Sequence, residues 1–294
     1  MRTDAIYFRS EARAHEGGVV ATIIDRLKSI VLPSAQSTPP ILRNMEYHLV
    51  EHCNLSCKRC GHFSPLAQPE EADPEDFKRD LRQLATRFSN IQRIRLMGGE
   101  PTLHSNPMAF VDAAHDVFPN ADLRIATNGT RLKAMPEEFW AACRRANVTL
   151  DLSLYPVMDK AGPGIEELCS QHGVKLKVFR KHSFFSWINA RGDSDPVRAM
   201  ANCRSHHYCP FLKNSRLYVC VLPAVVGYYN KHFGQSIPDD PGIDIYDPAL
   251  DGEQIIRRLN TPVETCRFCA CAWPMHPWEN EPDARIEDYH VHNS

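Results

Sequence analysis

The sequence predicts an α/β fold with a parallel sheet, followed by a smaller cysteine-rich extension. Two observations carry this prediction. Between residues 45 and 180, short apolar or alternating segments typical of strands are interspersed with amphipathic segments typical of helices. This spacing is that of βα units, which build parallel sheets. After about residue 184 the alternation stops, and six of the eleven cysteines follow.

The elements follow one another regularly along the core. A first strand, Glu46–Val50, runs into a cysteine-containing loop, and Pro74 opens a helix with apolar residues at helical spacing. A second strand ends at Gly98. The pattern then predicts a helix over 109–118, a strand over 121–126, a helix over 136–146, a strand over 148–153, a helix over 165–171 and a strand over 174–178. We therefore divide the chain into a lead-in helix and linker (1–43), a core (44–183) and an extension (184–294).

Composition excludes several classes of function. The chain has 294 residues and a formal net charge of −2, without a basic run, so nucleic acid is not expected as a partner. No segment approaches the ~20 apolar residues that a membrane helix needs, and charged residues interrupt the N-terminal region where a secretory signal would be apolar. These features predict a cytoplasmic protein without a membrane partner, in a compartment where thiols stay reduced.

The cysteines are clustered, which indicates metal or cluster ligands rather than disulfides. Cys143 and Cys169 stand alone in predicted helices, and we expect them in the core. The other nine form three groups: Cys53, Cys57 and Cys60; Cys203, Cys209 and Cys220; Cys266, Cys269 and Cys271.

The first group suits an iron–sulfur cluster. Cys53, Cys57 and Cys60 lie on one short loop after the first strand, in a Cys-x3-Cys-x2-Cys spacing. Three thiolates hold three irons of a [4Fe–4S] cluster, and the absence of a fourth nearby ligand leaves one iron open to another molecule. A zinc loop, or three structural thiols, is the alternative reading of the same spacing.

This arrangement resembles the radical S-adenosylmethionine (radical SAM) superfamily over roughly residues 44–180. The resemblance implies a partial (β/α)6, TIM-like barrel, open at one side. It also implies that S-adenosylmethionine binds the open iron and is cleaved reductively to a 5′-deoxyadenosyl radical, which abstracts hydrogen from a substrate. One position departs from the family pattern, because Arg59 stands where an aromatic residue usually precedes the third cysteine.

The resemblance further implies a set of cofactor-binding residues. Gly98, Gly99 and Glu100 are similar to the glycine-rich stretch that binds the amino group of S-adenosylmethionine, and glycine permits close backbone approach. Asn128 and Ser153 correspond to positions near the methionine carboxylate and the ribose. All lie where strands end, which is where α/β folds build their sites. No catalytic residue is assigned.

The cysteines of the extension resemble a twitch or SPASM domain with one auxiliary [4Fe–4S] cluster. The pattern of residues 211–220 predicts a hairpin that ends at a cysteine, and a Cys-x2-Cys pair follows after a gap of 45 residues. The expected ligands are Cys203, Cys220, Cys266 and Cys269, with Cys209 as a competitor for one position. A four-thiolate zinc site fits the same spacing and stays open as an alternative.

The function expected from these features is radical chemistry on a small polar, carbohydrate- or aminocyclitol-like substrate, giving dehydrogenation, epimerisation or dehydration. The short extension and the run from Gly61 to Ala67, which resembles radical SAM proteins of sugar biosynthesis, support this expectation. Flavodoxin or ferredoxin is the expected type of electron donor.

Two alternatives remain. One is a maturase of a ribosomally made peptide or protein side chain, because many proteins with SPASM-type extensions do this. The other is a non-enzymatic zinc-binding interaction protein, which leaves the glycine run without a role.

Overall fold

The computed structural model describes residues 38–206 and 208–291. The lead-in helix expected within residues 1–43 lies outside this part. The described strands are β1 (Ile41–Leu42), β2 (Met45–Val50), β3 (Asn90–Ile91), β4 (Arg93–Gly98), β5 (Asp122–Thr127), β6 (Thr149–Leu154), β7 (Lys175–Arg180), β8 (Ser183–Phe185), β9 (Phe211–Lys213), β10 (Arg216–Tyr218), β11 (Ile243–Asp244) and β12 (Met275–Pro277).

The α-helices lie between these strands and in the C-terminal region. They are α1 (Pro74–Ala85), α2 (Pro107–Val117), α3 (Glu137–Arg145), α4 (Gly162–Gln171), α5 (Pro196–His206), α6 (Val221–Phe233), α7 (Gly252–Leu259) and α8 (Ile286–Tyr289). Helix α1 begins where the sequence predicts, because Asp73 accepts a hydrogen bond from the Glu75 amide and Pro74 occupies the first turn. No helix in the described ranges is long and apolar enough to cross a membrane.

The main sheet has eight strands in the order β11-β10-β9-β2-β4-β5-β6-β7. Strands β2, β4, β5, β6 and β7 are parallel neighbours, and β9 pairs parallel to β2 on the other side. Six parallel strands with helices in the connections confirm the expected α/β fold, consistent with a partial TIM-like barrel. The carboxyl ends of β2, β4, β5 and β6 therefore lie at the same edge of the sheet.

Apolar residues of the strands and helices form one large core. Helix α1 buries Phe77, Leu81 and Leu84, and Phe88 is buried just beyond its end. Cys143 and Cys169 are 0% and 1% exposed in this core, which confirms the expectation that they are structural. Burial of such a continuous apolar face is what stabilises a βα sheet.

The C-terminal region contains more helix than the loop-rich extension that the sequence suggested. Helices α5, α6 and α7 fall within it, and α6 was missed because its sequence carries Pro223 and is apolar around much of its circumference. Strands β9 and β10 form the predicted hairpin, in which Asn214 and Ser215 both have positive φ, as a type I′ turn requires. The predicted boundary near residue 183 remains a prediction, and β9, β10 and β11 continue the core sheet.

Candidate metal and cofactor site

The three thiols of the first loop face one cavity. Cys53, Cys57 and Cys60 line a cavity of about 480 Å³ beyond the end of β2. Burial raises the pKa of Cys53 and of Cys57 to about 12, and it also raises the pKa of Cys60. The three thiols act electrostatically on one another, so they are close neighbours. Such thiols remain protonated at neutral pH unless a metal centre stabilises the thiolates.

The loop already provides N–H donors to these sulfur atoms. The Trp278 indole N–H donates to Cys57 Sγ at 3.2 Å, and the Leu55 amide donates to Cys53 Sγ at 3.4 Å. Backbone N–H groups of residues 62–64 also favour the charged form of Cys60. Hydrogen bonds of this kind stabilise sulfur that carries negative charge. The donor set therefore fits an anionic iron–sulfur cluster held by three thiolates.

The glycine run holds the cysteine loop through its backbone. The Gly99 amide donates to the Val50 carbonyl at 2.9 Å, and the Glu100 amide donates to the His52 carbonyl at 3.1 Å. A Cβ at Gly99 would lie 1.8 Å from the His52 carbonyl oxygen, and one at Gly98 would lie 2.2 Å from the Val50 carbonyl oxygen. The glycines are thus required because the backbone at the end of β4 lies so close to that of the cysteine loop. Both glycines also line the cavity.

Glu100 ties the ends of β4 and β5 together. It is fully buried, and its carboxylate accepts from the Thr102 hydroxyl and the Thr127 hydroxyl, each at 2.6 Å, and from the Asn128 amide at 2.7 Å. Unlike Gly98 and Gly99, Glu100 does not line the cavity. Glu100 therefore stabilises the ends of β4 and β5 from their buried side and does not face the cavity.

Asn128 links the end of β5 to the cysteine loop. Its side-chain amide donates to Asn54 Oδ1 at 2.9 Å and approaches Cys53 Sγ at 3.7 Å, while its carbonyl oxygen accepts from the Thr130 amide at 2.9 Å. Asn128 and Ser153 both line the cavity, beside the three thiols. The structure thus brings together four of the five predicted cofactor-binding residues with Cys53, Cys57 and Cys60.

A C-terminal segment covers the outer side of the cysteine loop. The Ser56 amide donates to Asn280 Oδ1 at 2.7 Å, and Lys58 forms ion pairs with Glu279 at 3.2 Å and Glu281 at 2.5 Å. Arg59 pairs with Glu279 at 2.9 Å. Arg59, at the unusual position of the motif, is therefore an anchor for this segment. The sequence did not predict these ion pairs, although the acidic residues that follow Trp278 are opposite in charge to Lys58 and Arg59.

The six cysteines of the C-terminal region also lie together. Burial raises the pKa of Cys203, Cys220 and Cys269, and neighbouring thiols raise each of them further. All six pairs among the four expected ligands, Cys203, Cys220, Cys266 and Cys269, are close enough to interact in this way. Cys209 interacts with Cys203, Cys220 and Cys269, whereas Cys271 acts on Cys269.

The two groups of thiols share one cavity. Cys203, Cys209, Cys220 and Cys269 line the same space of about 480 Å³ as the first group. Aromatic side chains form much of the remaining wall: Tyr155, Phe184, Phe185, Trp187 and Trp273. Phe185 and Trp273 are stacked with ring centroids 5.4 Å apart. Lys181, which follows β7, adds an exposed cation to this wall. This arrangement can hold a flat organic molecule between the two groups of thiols.

A line of buried polar residues leads away from the cavity. His62 lines the cavity, and burial lowers its pKa to about 3. Its Nδ1 lies 2.8 Å from His48 Nε2, and His48 Nδ1 lies 3.0 Å from Glu51 Oε2. Glu51 in turn pairs with Lys213 at 2.5 Å. Burial opposes the charge of Glu51, but His48 and Lys213 together lower the pKa of Glu51 to about 2.

Comparison with known families identifies the class of domain. Residues 47–190 match the family model described as Radical SAM superfamily. This part of the chain is a radical SAM domain, as the cysteine loop and the glycine run predicted. The family confirms a [4Fe–4S] cluster and S-adenosylmethionine as its cofactors.

Among curated proteins, the chain is similar to several named GTP 3′,8-cyclase. It is 29% identical to that of Aliarcobacter butzleri over 44% of this chain and 43% of the relative. It is 33% identical to that of Syntrophomonas wolfei over 39% of this chain and 36% of the relative. The chain thus spans less than half the length of these relatives.

Among solved structures, the chain is similar to BtrN in complex with AdoMet and 2-DOIA. The sequence identity is 17%, the TM-score is 0.47, and the match covers 78% of this chain and 85% of BtrN. It is also similar to Streptococcus suis SuiB bound to S-adenosylmethionine, with 16% identity, a TM-score of 0.38, and coverage of 57% and 40% of the two chains.

The expectation of a carbohydrate- or aminocyclitol-like substrate is wrong, because several curated relatives of the chain are named for a reaction of GTP. In the run from Gly61 to Ala67, Gly61, His62 and Ser64 line the cavity, whereas Phe63 does not. Phe63 in this run is fully buried and packs on Tyr229 and Tyr289, with ring centroids 5.3 and 5.4 Å away. Phe63 therefore packs in the core of the C-terminal region.

Proposed function

We propose that the chain is a radical SAM enzyme with two [4Fe–4S] clusters facing one substrate cavity, with GTP as its substrate. The observation that carries the proposal is the shared cavity, lined by Cys53, Cys57 and Cys60 and by thiols of the C-terminal region. The N–H groups that donate to Cys53, Cys57 and Cys220 support it. We also propose the cytoplasm as its location, with a flavodoxin- or ferredoxin-type electron donor.

In this proposal, Cys53, Cys57 and Cys60 hold the first cluster, and Gly98, Gly99, Asn128 and Ser153 bind S-adenosylmethionine. When bound, the cluster and S-adenosylmethionine together supply a 5′-deoxyadenosyl radical that abstracts hydrogen from a substrate C–H bond. The chain positions these groups. Glu100 holds the Asn128 amide and the glycine run in place, and the C-terminal segment closes the outer side of the loop.

In the twitch-like extension, we propose Cys203, Cys220, Cys266 and Cys269 as ligands of the auxiliary cluster, with Cys209 beside them. Support comes from the mutual proximity of these four thiols. Within the described ranges, no three cysteine, histidine or carboxylate side chains converge as they would around a single metal ion. A zinc ion bound by four thiolates is the alternative at these residues, and metal analysis distinguishes it from a cluster.

GTP is the substrate that the name of the curated relatives supports. The aromatic wall suits a flat purine base, which stacks favourably on such rings. Lys181, exposed at the end of β7, offers a cation for a phosphate group. Because these relatives match less than half of this chain, the substrate is the part of the proposal that most needs a test.

Iron content tests the two-cluster part of the proposal. The anaerobically reconstituted chain should hold about eight irons, and a Cys53/Cys57/Cys60→Ala variant about four. A Cys203/Cys220/Cys266/Cys269→Ala variant should also hold about four. The buried pair Cys143→Ala and Cys169→Ala provides the matched control, which should keep all irons. Zinc in place of iron in either group would refute a cluster there.

Release of 5′-deoxyadenosine tests the substrate. GTP should increase this release above the level seen without substrate, and deuterium from labelled GTP should appear in the 5′-deoxyadenosine. ATP and free ribose serve as controls. If both clusters load but GTP has no effect, GTP is wrong as a substrate while the assignment of the cofactors stands.

A further inference from the structure

Arg204 is a partly buried cation beside the second group of thiols. It follows Cys203 on helix α5, and its Nη2 donates to the Val219 carbonyl at 2.9 Å and to the Leu259 carbonyl at 2.7 Å. Its guanidinium also lies over the Tyr208 ring, 4.9 Å from the centroid. Since Val219 directly precedes Cys220, these contacts hold the guanidinium against the backbone segment that leads into Cys220.

Two donors of this guanidinium have no partner. Arg204 Nε and Nη1 are both buried without a hydrogen-bond acceptor. A buried charged donor without an acceptor is unfavourable, so an acceptor is expected nearby. The charge also acts on Cys203, Cys209 and Cys266, which places it within electrostatic reach of three thiols on different segments.

We propose that Arg204 is a charge-compensating residue of the auxiliary cluster, donating from Nε and Nη1 to its sulfur atoms. This inference rests on the proposed function, because it requires a cluster at Cys203, Cys220, Cys266 and Cys269. The net charge near a cluster and the hydrogen bonds to its sulfur atoms set its reduction potential. A fixed cation stabilises the reduced form, which has one more negative charge. Arg204 therefore raises the reduction potential of this cluster.

The test measures that potential in a chain holding only the auxiliary cluster. In the Cys53/Cys57/Cys60→Ala background, the midpoint potential is followed by anaerobic redox titration with electron paramagnetic resonance. Arg204→Gln and Arg204→Met should shift it to more negative values, and Arg204→Lys should shift it less. Arg198→Met on the same helix is the matched control, because Arg198 is exposed and its loss should leave the potential unchanged.

The possible outcomes separate a redox role from a structural one. If Arg204 only braces the Val219 and Leu259 carbonyls, its variants lower the melting temperature but leave the potential of the remaining cluster unchanged, and the proposal is overturned. If Arg204→Met loses its iron, the midpoint potential of Arg204→Gln, which keeps an amide donor, is the deciding measurement. A more negative potential supports the proposal, and an unchanged potential overturns it. If the background chain binds no iron at all, the auxiliary cluster and this inference both fail, whereas the first cluster is unaffected.

Discussion

Replacing Gly99 by alanine should destabilise the protein and empty the first cluster site. The added Cβ would lie 1.8 Å from the His52 carbonyl oxygen and 2.8 Å from the Cys53 amide nitrogen, and both are backbone atoms that cannot rotate away. Overpacking of this kind costs about 1–3 kcal/mol. If the two strand-end hydrogen bonds at 2.9 and 3.1 Å are lost as well, each adds about 0.5–1.5 kcal/mol. The expected loss of stability is therefore about 2–6 kcal/mol.

Gly227→Ala provides the matched control for this substitution. Gly227 is exposed within helix α6, and an added Cβ meets no atom within 4 Å. Alanine favours a helix interior over glycine by about 1 kcal/mol, so this variant should be as stable as the wild type or slightly more stable.

Two measurements on the reconstituted chains test the pair. Thermal unfolding should show a melting temperature lowered in Gly99→Ala and unchanged or raised in Gly227→Ala. Iron content should fall from about eight to about four only in Gly99→Ala, because the displaced backbone carries Cys53. A Gly99→Ala chain with normal melting temperature and full iron content would refute the view that the glycine run positions the cysteine loop.

Three further predictions concern hydrogen bonds around the site. Trp278→Phe removes the donor at 3.2 Å from Cys57 Sγ and should lower the reduction potential of the first cluster at unchanged iron content, as seen by redox titration; an unchanged potential would contradict this role. Glu100→Gln places an amide donor among groups that donate to the carboxylate, and urea unfolding should show a loss of about 1–3 kcal/mol, whereas unchanged stability would argue against the buried clamp. Glu51→Gln should cost about 3 kcal/mol at neutral pH, because the pKa of Glu51 is lowered from 4.5 to about 2 on folding. This stabilisation is present above the unfolded pKa and is lost as the pH falls toward the folded one, so the difference from wild type in urea unfolding of the cluster-free chain should shrink below about pH 4.5; a constant difference would contradict the pairing with Lys213.

Local patterns in the sequence were sufficient for the core of the fold. The helix at Pro74 and the strand at Glu46 fall within one or two residues of their predicted positions, because caps, prolines and apolar periodicity act over a few residues. The positions of Cys53, Gly99 and Asn128 at strand ends followed from the same reading. Since parallel strands end at one edge, this also predicted that these residues meet.

Local sequence patterns could not predict the contacts between segments that are distant in the chain. Arg59 appeared only as a departure from a motif, yet it pairs with Glu279, 220 residues further along the chain. Likewise, Phe63 looked like part of a recognition motif, but it is a core residue of the C-terminal region. No local pattern encodes such pairs, because the two partners are independent in sequence and are brought together by the packing of whole elements.

The sequence by itself determined which residues are candidates for the chemistry, because cysteine spacing on a loop limits the metal centres that the loop can hold. Only the tertiary structure decided how they are arranged. It placed both groups of thiols on one cavity, and it extended the core sheet with β9, β10 and β11. It also showed that Glu100, which was expected to bind the cofactor, is fully buried and accepts hydrogen bonds from the residues around it. The physical reason is that burial and electrostatic environment depend on every segment that packs around a residue, whereas ligand type depends on the residue alone.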